Sequence, residues 1–316
     1  MVAKAILIAT TGWDQEAWAA PIRAAEPSRP IYLWPDVPNP AAVGYALVWS
    51  PPSGFFAGLP NLRAIFSTGA GVDHIIFRGD LPDVPIVRMV KADLTKRMTE
   101  WVTLQVLRHH RQQRSYAAQQ AEHRWQELPQ PAASEVRVGI MGMGVLGRDS
   151  AEVLVRIGFQ VAGWSRRPSN LPGVQSFHGK DQLDAFLARS DILVSLLPLT
   201  PKTRGILAMP LFRKLARDGE LGGPVLINAG RGKLQVEADI VAALDEGVLK
   251  GASLDVFEAE PLPAASVLWG RSDVFITPHA AAWSSPEALT HDIMGQILAF
   301  EGGAPLANVV DRDVSY

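Results

Sequence analysis

Gly142-Met143-Gly144-Val145-Leu146-Gly147 decides how this chain folds, because of what stands on either side of it. The apolar run 136–141 before it reads as a strand, and the run 145–157 after it reads as a helix. Strand, glycine turn and helix in that order form the dinucleotide-binding fingerprint. The first glycine permits the tight turn, and the second lets the backbone approach a pyrophosphate. The third allows close helix–sheet packing, with the phosphates at the helix N-terminus. Val145 and Leu146 open that helix and belong to the same cradle.

A second strand, 160–164, ends where an NAD-binding chain places an acidic residue against the ribose 2′-hydroxyl, about twenty residues after the glycines. Ser165, Arg166 and Arg167 stand there instead. A hydroxyl and two guanidinium groups suit a 2′-phosphate, since guanidinium pairs with phosphate in bidentate geometry. The motif therefore implies an NADP(H) site. A methyltransferase with a glycine-rich first turn would also want an acidic residue after the second strand.

Working outward, short apolar runs at 5–8, 31–34, 46–49, 64–66 and 86–89 alternate with loops and helix-length polar segments. A second series at 136–141, 160–164, 192–197, 225–228, 252–256 and 274–276 begins at the fingerprint. This is the rhythm of parallel sheets with crossover helices, so an α/β fold with two doubly wound parallel-sheet domains is expected. One is expected to be a flavodoxin-like substrate domain and the other a Rossmann cofactor domain. A long helix over about 94–122 would carry the chain from the first unit to the second, and a helical tail over 286–300 would return it. The expected division is residues 1–98 plus 286–316 as a substrate-binding outer domain around an NADP(H)-binding domain at 99–285, with the active-site cleft between them.

The chain has 316 residues, 47% of them hydrophobic, which is material enough for two cores. Its formal charge of −2 is spread along the sequence, so no nucleic-acid or membrane partner is expected. The basic run Arg108-His109-His110-Arg111 reads as one exposed helix face. The absence of cysteine excludes disulfides, thiolate nucleophiles and zinc–thiolate sites. The N-terminal apolar stretch is too short for a signal-peptide core, so a soluble cytoplasmic location is the expectation.

Three polar side chains stand at or just beyond strand ends in the second half: Arg231 after Ile227-Asn228-Ala229-Gly230, Glu260 in Asp255-Val256-Phe257-Glu258-Ala259-Glu260-Pro261-Leu262, and His279 in Thr277-Pro278-His279. Carboxyl ends of strands in an open α/β sheet face the ligand crevice. Imidazole titrates near neutrality and suits a proton donor; a carboxylate can orient it; a planar guanidinium suits a substrate carboxylate. Glu258 is a nearby decoy.

These motifs, in this order and spacing, resemble the D-2-hydroxyacid dehydrogenase family over nearly the whole chain. Within it the chain is similar to the glyoxylate/hydroxypyruvate reductase A group. That closer likeness is carried by Ala46-Leu47-Val48-Trp49-Ser50-Pro51-Pro52, Gly69-Ala70-Gly71-Val72-Asp73, Pro278-His279-Ala280-Ala281-Ala282 and the Val310-Asp311-Arg312 ending with Tyr316. The resemblance implies an NADP-dependent 2-oxo acid reductase, an oxidoreductase of the EC 1.1.1 class, acting as a homodimer without a metal. It implies His279 as proton donor, Glu260 as its partner and Arg231 as the carboxylate and carbonyl ligand. Trp49, Gly71 and Val72 are implied for substrate, and Asp255, Leu197, Pro198, Thr203 and Ala229 for the cofactor. Met98, Trp101 and Trp283 are candidates to line the cleft.

Two departures from the commoner family pattern carry expectations of their own. Gly230 stands where a side chain is more usual, which is expected to loosen that turn. Ala280-Ala281 replace Ile-Gly, which is expected to add a methyl near the nicotinamide. Two other readings stay open: an NAD-linked D-2-hydroxyacid dehydrogenase, and a dinucleotide-sensing corepressor-like binding protein. The missing acid after Trp164 argues against the first.

Overall fold

The computed structural model describes residues 4–283 and 285–312; Tyr316 lies outside the described residues. The chain forms two units, one from the segments ending at Lys91 and resuming at residue 284, the other from Ala92–Trp283. The first boundary falls where a long helix begins. The expected boundary after Met98 would have cut that helix, but Met98, Trp101, Val102 and Val106 all pack with Val136, Val138 and Ile140 in the second unit's core.

The first unit is a five-stranded parallel sheet of β1 (Ala5–Thr10), β2 (Ile31–Leu33), β3 (Val43–Trp49), β4 (Ala64–Ser67) and β5 (Ile86–Val87). Its order, β2-β1-β3-β4-β5, is that of the flavodoxin-like doubly wound sheet. Every residue of β1 is buried, as a strand covered on both faces requires. Helix α1 (Gln15–Ala25) starts where the Asp14 carboxylate accepts from the Glu16 N–H at 3.0 Å. A short α2 (Asp73–Ile76) follows β4.

The C-terminal helix Pro286–Glu301 returns to this unit. Ser285 caps it and Pro286 occupies its first turn, where a missing N–H costs nothing. Its buried residues Leu289, Ile293, Met294 and Ile297 recur at helical spacing on one face. Arg29, 7% exposed, donates to both oxygens of Glu301 at 2.9 Å, so a bidentate ion pair ties the two chain segments together. The backbone adds Val310 N–H to Ile86 O at 2.8 Å.

The second unit begins with α3 (Ala92–His110) and α4 (Gln113–Ala121). Its sheet comprises β6 (Arg137–Met141), β7 (Gln160–Ser165), β8 (Val174–His178), β9 (Ile192–Ser195), β10 (Val225–Asn228), β11 (Gly251–Leu254) and β12 (Val274–Ile276). The parallel order β12-β11-β10-β9-β6-β7-β8 is that of a dinucleotide-binding sheet, reversing between β6 and β9. Helices α5 (Val145–Ile157), α6 (Leu183–Ala188), α7 (Met209–Phe212) and α8 (Glu237–Asp245) connect its strands.

Three expectations need correction. β8 has no counterpart among the apolar runs, because it is an edge strand with no fully buried position. The single helix over 94–122 is two helices: Gln112 takes a left-handed backbone (φ +50°), and its side-chain amide donates to Pro129 O. The basic run is not an exposed face. His110 is 5% exposed and packs edge-on against Phe159, and the Arg108 guanidinium lies 3.6 Å from the Phe275 ring centroid.

Candidate active site

The fingerprint glycines divide the labour as their spacing requires. Gly142 has φ +106°, and a Cβ there would stand 2.7 Å from Leu196 O. A Cβ on Gly147 would overlap Gly142 O, so the start of α5 packs directly on the turn. Nothing lies within 4 Å of a Cβ built on Gly144, the residue that caps α5. The middle glycine therefore leaves open space before a helix N-terminus, which fits a pyrophosphate. Val145 is half exposed at that helix start, and Leu146 packs against the core behind it.

Gly142 follows β6 and Leu196 follows β9, so both flank the point where strand order reverses. There Leu197 is buried, and Thr203 Oγ1 donates to Pro198 O at 2.7 Å while accepting from Thr200 N–H at 2.8 Å. That clamp shapes the loop after β9. Ala229, after β10, is 7% exposed. At the end of β7, Ser165 Oγ donates to Arg167 O at 2.6 Å, folding the turn that presents Arg166 and Arg167 on the surface. Arg148, on α5, donates to Ser169 Oγ at 2.8 Å and to Asn170 O at 3.2 Å, which holds the far side of that turn.

Arg231, Glu260 and His279 come from three different strand connections. His279 Nδ1 lies 2.7 Å from Glu260 Oε2, while the Phe257 N–H donates to Glu260 Oε1 at 2.9 Å. Both carboxylate oxygens are thereby committed. Burial alone would push the Glu260 carboxyl up. The hydrogen bond and charge of His279, the Phe257 N–H and the charge of Arg231 outweigh it and hold the carboxyl below its ordinary value. The ionised carboxylate thus persists above the unfolded value and is lost only as pH falls through the lowered one.

His279 has a left-handed backbone (φ +52°), a conformation that costs free energy unless its surroundings impose it. Asp255 imposes it. Its carbonyl accepts from the His279 N–H at 2.8 Å, and its carboxylate, 1% exposed, accepts from Thr277 Oγ1 at 2.6 Å, Ala280 N–H at 2.9 Å and Ala281 N–H at 3.0 Å. Asp255 is thus the hub of the histidine loop. Trp101 extends the network by donating from Nε1 to Thr277 Oγ1 at 3.1 Å.

In the first unit, Trp49 ends β3 and its ring lies so close to Gly69 that a Cβ there would stand 2.5 Å from Cζ3. The same ring stacks on Trp13 at 5.0 Å and tilts over His74 at 4.5 Å. Ser67 Oγ donates to Gly71 O at 3.1 Å and accepts from Gly69 N–H at 3.3 Å, which shapes the glycine loop. Val72, 3% exposed, is the residue before α2. Trp49, Gly71 and Val72 are therefore neighbours of one short loop.

The sequence model for the D-isomer specific 2-hydroxyacid dehydrogenase NAD binding domain matches residues 103–281. This chain belongs to the D-isomer specific 2-hydroxyacid dehydrogenase family. Glyoxylate/hydroxypyruvate reductase A of Serratia proteamaculans (strain 568) is 40% identical over 311 residues, covering 96% of this chain and 97% of that protein. Among solved structures, an NADPH-dependent glyoxylate/hydroxypyruvate reductase from Sinorhizobium meliloti, in complex with NADP and sulfate, is 48% identical. It aligns with TM-score 0.94 over 99% of this chain and all of its own. A probable 2-hydroxyacid dehydrogenase from Rhizobium etli CFN 42, in complex with NADP, HEPES and L(+)-tartaric acid, is 47% identical, with TM-score 0.92 over 99% of this chain and all of its own.

In this family member both sequence departures resolve into packing. Gly230 does not loosen its turn. A Cβ there would stand 2.7 Å from both Leu197 O and Leu234 Cδ1, and the turn is tied by Gly230 N–H to Asn228 Oδ1 at 3.1 Å. Asn228 Nδ2 also donates to Arg231 O at 3.2 Å and to Gln235 Oε1 at 2.8 Å. The added methyl of Ala281 is 4% exposed and buried in the core with Met98 and Trp101. Met98 and Trp101 are core residues of the second unit, while Trp283 is 59% exposed.

Asn228, Gln235, Thr277 and Arg148 hold the site and were not singled out from sequence. Asn228 and Thr277 lie inside the quoted motifs, so proximity to Arg231 and His279 was an available signal. Gln235 and Arg148 offered none, since their partners are set by the tertiary fold.

Proposed function

We propose that this chain reduces small 2-oxo acids with NADPH, taking glyoxylate to glycolate and hydroxypyruvate to D-glycerate, as a soluble cytoplasmic homodimer. The observation that carries the reading is the 2.7 Å pair of His279 Nδ1 and Glu260 Oε2. It commits one ring nitrogen to a carboxylate, which supports the reading of His279 as an oriented proton donor. The names of the relatives above support the same substrates and cofactor.

When bound, NADPH would supply the hydride for C2 of the 2-oxo acid. His279 donates the proton that the carbonyl oxygen needs as its charge develops, and Glu260 keeps the imidazole oriented for that transfer. Arg231 binds the substrate carboxylate and polarises the carbonyl through its planar fork. Gly71 and Val72 are proposed to offer backbone N–H groups to a carboxylate, and Trp49 is proposed as a further substrate-binding residue. Gly144, Val145, Leu146 and Gly147 would hold the cofactor pyrophosphate. Leu197, Pro198, Thr203, Ala229 and Asp255 would be further cofactor-binding residues.

Ser165, Arg166 and Arg167 would hold the 2′-phosphate. Replacing both arginines (R166A with R167A) should raise KM for NADPH about a hundredfold, the loss of two charge-assisted contacts, and leave KM for NADH nearly unchanged. Steady-state kinetics with each cofactor measures this. An equal change for both cofactors would defeat the phosphate assignment.

A further inference from the structure

A second constellation of charge lies in the second unit, at the amino ends of β10 and β11, the edge of the sheet opposite the strand ends that lead to Arg231 and Glu260. A cavity of about 120 Å³ opens there, lined among others by Arg108, His109, Arg114, Ser115, Lys250 and Phe275. That is several times what one water requires. Its cations come from three parts of the fold: the end of α3, the start of α4, and the residue before β11. Gly251 lets them converge. A Cβ on it would stand 3.3 Å from Arg114 Nη1 and 3.4 Å from His109 Cε1.

No carboxylate among the described residues forms an ion pair with Arg108, Arg114 or Lys250. Asp273 is the acid that acts on Arg114, but its two oxygens are taken by Arg271 at 2.8 Å each. The remaining contacts of the cations are neutral: Arg108 lies over the Phe275 ring, and Lys250 Nζ donates to Leu221 O.

The neutral groups are ordered for a polar occupant. Ser253 Oγ donates to Gln105 Oε1 at 3.1 Å, so its bond with His109 Nε2 at 2.9 Å takes its proton from the imidazole. Burial pushes His109 down to about 4, and the charges of Arg114, Arg108 and Lys250 push in the same direction. Burial likewise lowers Arg108 and Arg114, and burial with the charge of Arg114 lowers Lys250. Three partly desolvated like charges around a cavity are unfavourable until an anion enters it.

We propose that this cavity is an anion site, separate from the cofactor and substrate residues, that takes a compact multivalent oxyanion of the phosphate class, as the free ion or as a small phosphomonoester. Guanidinium forks from two helices and an ammonium from the sheet edge match the several oxygens of such a group.

The test uses the full-length protein saturated with NADP+, so that the 2′-phosphate site is already filled. Inorganic phosphate and glycerol phosphate are each titrated at constant ionic strength while the thermal midpoint and the binding isotherm are followed. The proposal expects both readouts to saturate, and expects Arg114→Gln with Lys250→Met to weaken the affinity about tenfold or more. The Arg166→Ala, Arg167→Ala variant should keep the effect. A response to phosphate alone assigns the free ion, and a response to both admits the ester. In anion-free buffer the Arg114→Gln, Lys250→Met variant should melt no lower than the unaltered protein, because neutralising the cluster relieves repulsion. No saturable response, or a response lost with Arg166 and Arg167 and kept without Arg114 and Lys250, would overturn the proposal.

Discussion

Exchanging His279 for asparagine should lower kcat for 2-oxo acid reduction about 10²–10⁴-fold, the range supplied by a positioned general acid. Asparagine is the informative replacement because it tolerates the left-handed backbone that His279 adopts (φ +52°). The Asp255 carboxylate should go on holding Thr277, Ala280 and Ala281, so the loop should keep its shape. The variant should therefore bind NADPH with unchanged affinity and melt close to the parent temperature. A fall in kcat with cofactor affinity and melting temperature unchanged separates a proton donor from a structural residue. A variant that retains parent kcat would place the proton elsewhere.

Replacing Arg231 by glutamine should lower kcat/KM about 10²–10³-fold, the cost of removing one partner from a hydrogen-bonded charge pair with the substrate carboxylate. The guanidinium already has one fixed contact, Nη1 to Gly230 O at 2.8 Å, inside a turn pinned by Asn228 and Gln235. The fork is therefore held by its own loop before substrate arrives, and its loss should appear in both KM and kcat. Arg231→Lys should recover part of the binding and little of the rate, since a point charge replaces a planar pair of donors. Stopped-flow binding of NADPH should be unaffected in both variants. A loss confined to cofactor affinity would refute the role given to Arg231.

The parts of the fold legible in the sequence were those set by backbone geometry and local order. Gly142, Gly144 and Gly147 each answer a local demand (a positive φ, an open approach, a close crossing), and such demands can be read from spacing. The β-strands with buried faces were legible for the same reason. β8 was not, because an edge strand has no continuous apolar run. The break at Gln112 was hidden because the chain turns on one left-handed residue that is not glycine.

Asp255 shows the limit most clearly. Its motif marks it as a residue of the site, but its partners lie 22–26 positions later in the chain, at Thr277, Ala280 and Ala281. Only the tertiary fold shows that it organises the histidine loop. The basic run 108–111 misled for a related reason. Charge suggested a solvated face, whereas Phe159 and Phe275 from distant strand regions cover two of its members.

The most direct test of the central claim is the rate of NADPH oxidation with glyoxylate as acceptor, followed by absorbance beside the same assay with NADH. Rapid turnover with clear preference for NADPH is the predicted result, and it would bear on His279, Arg231 and the Arg166–Arg167 pair together. Tight cofactor binding with no turnover on glyoxylate, hydroxypyruvate or other 2-oxo acids would contradict the account and point to a dinucleotide-sensing protein.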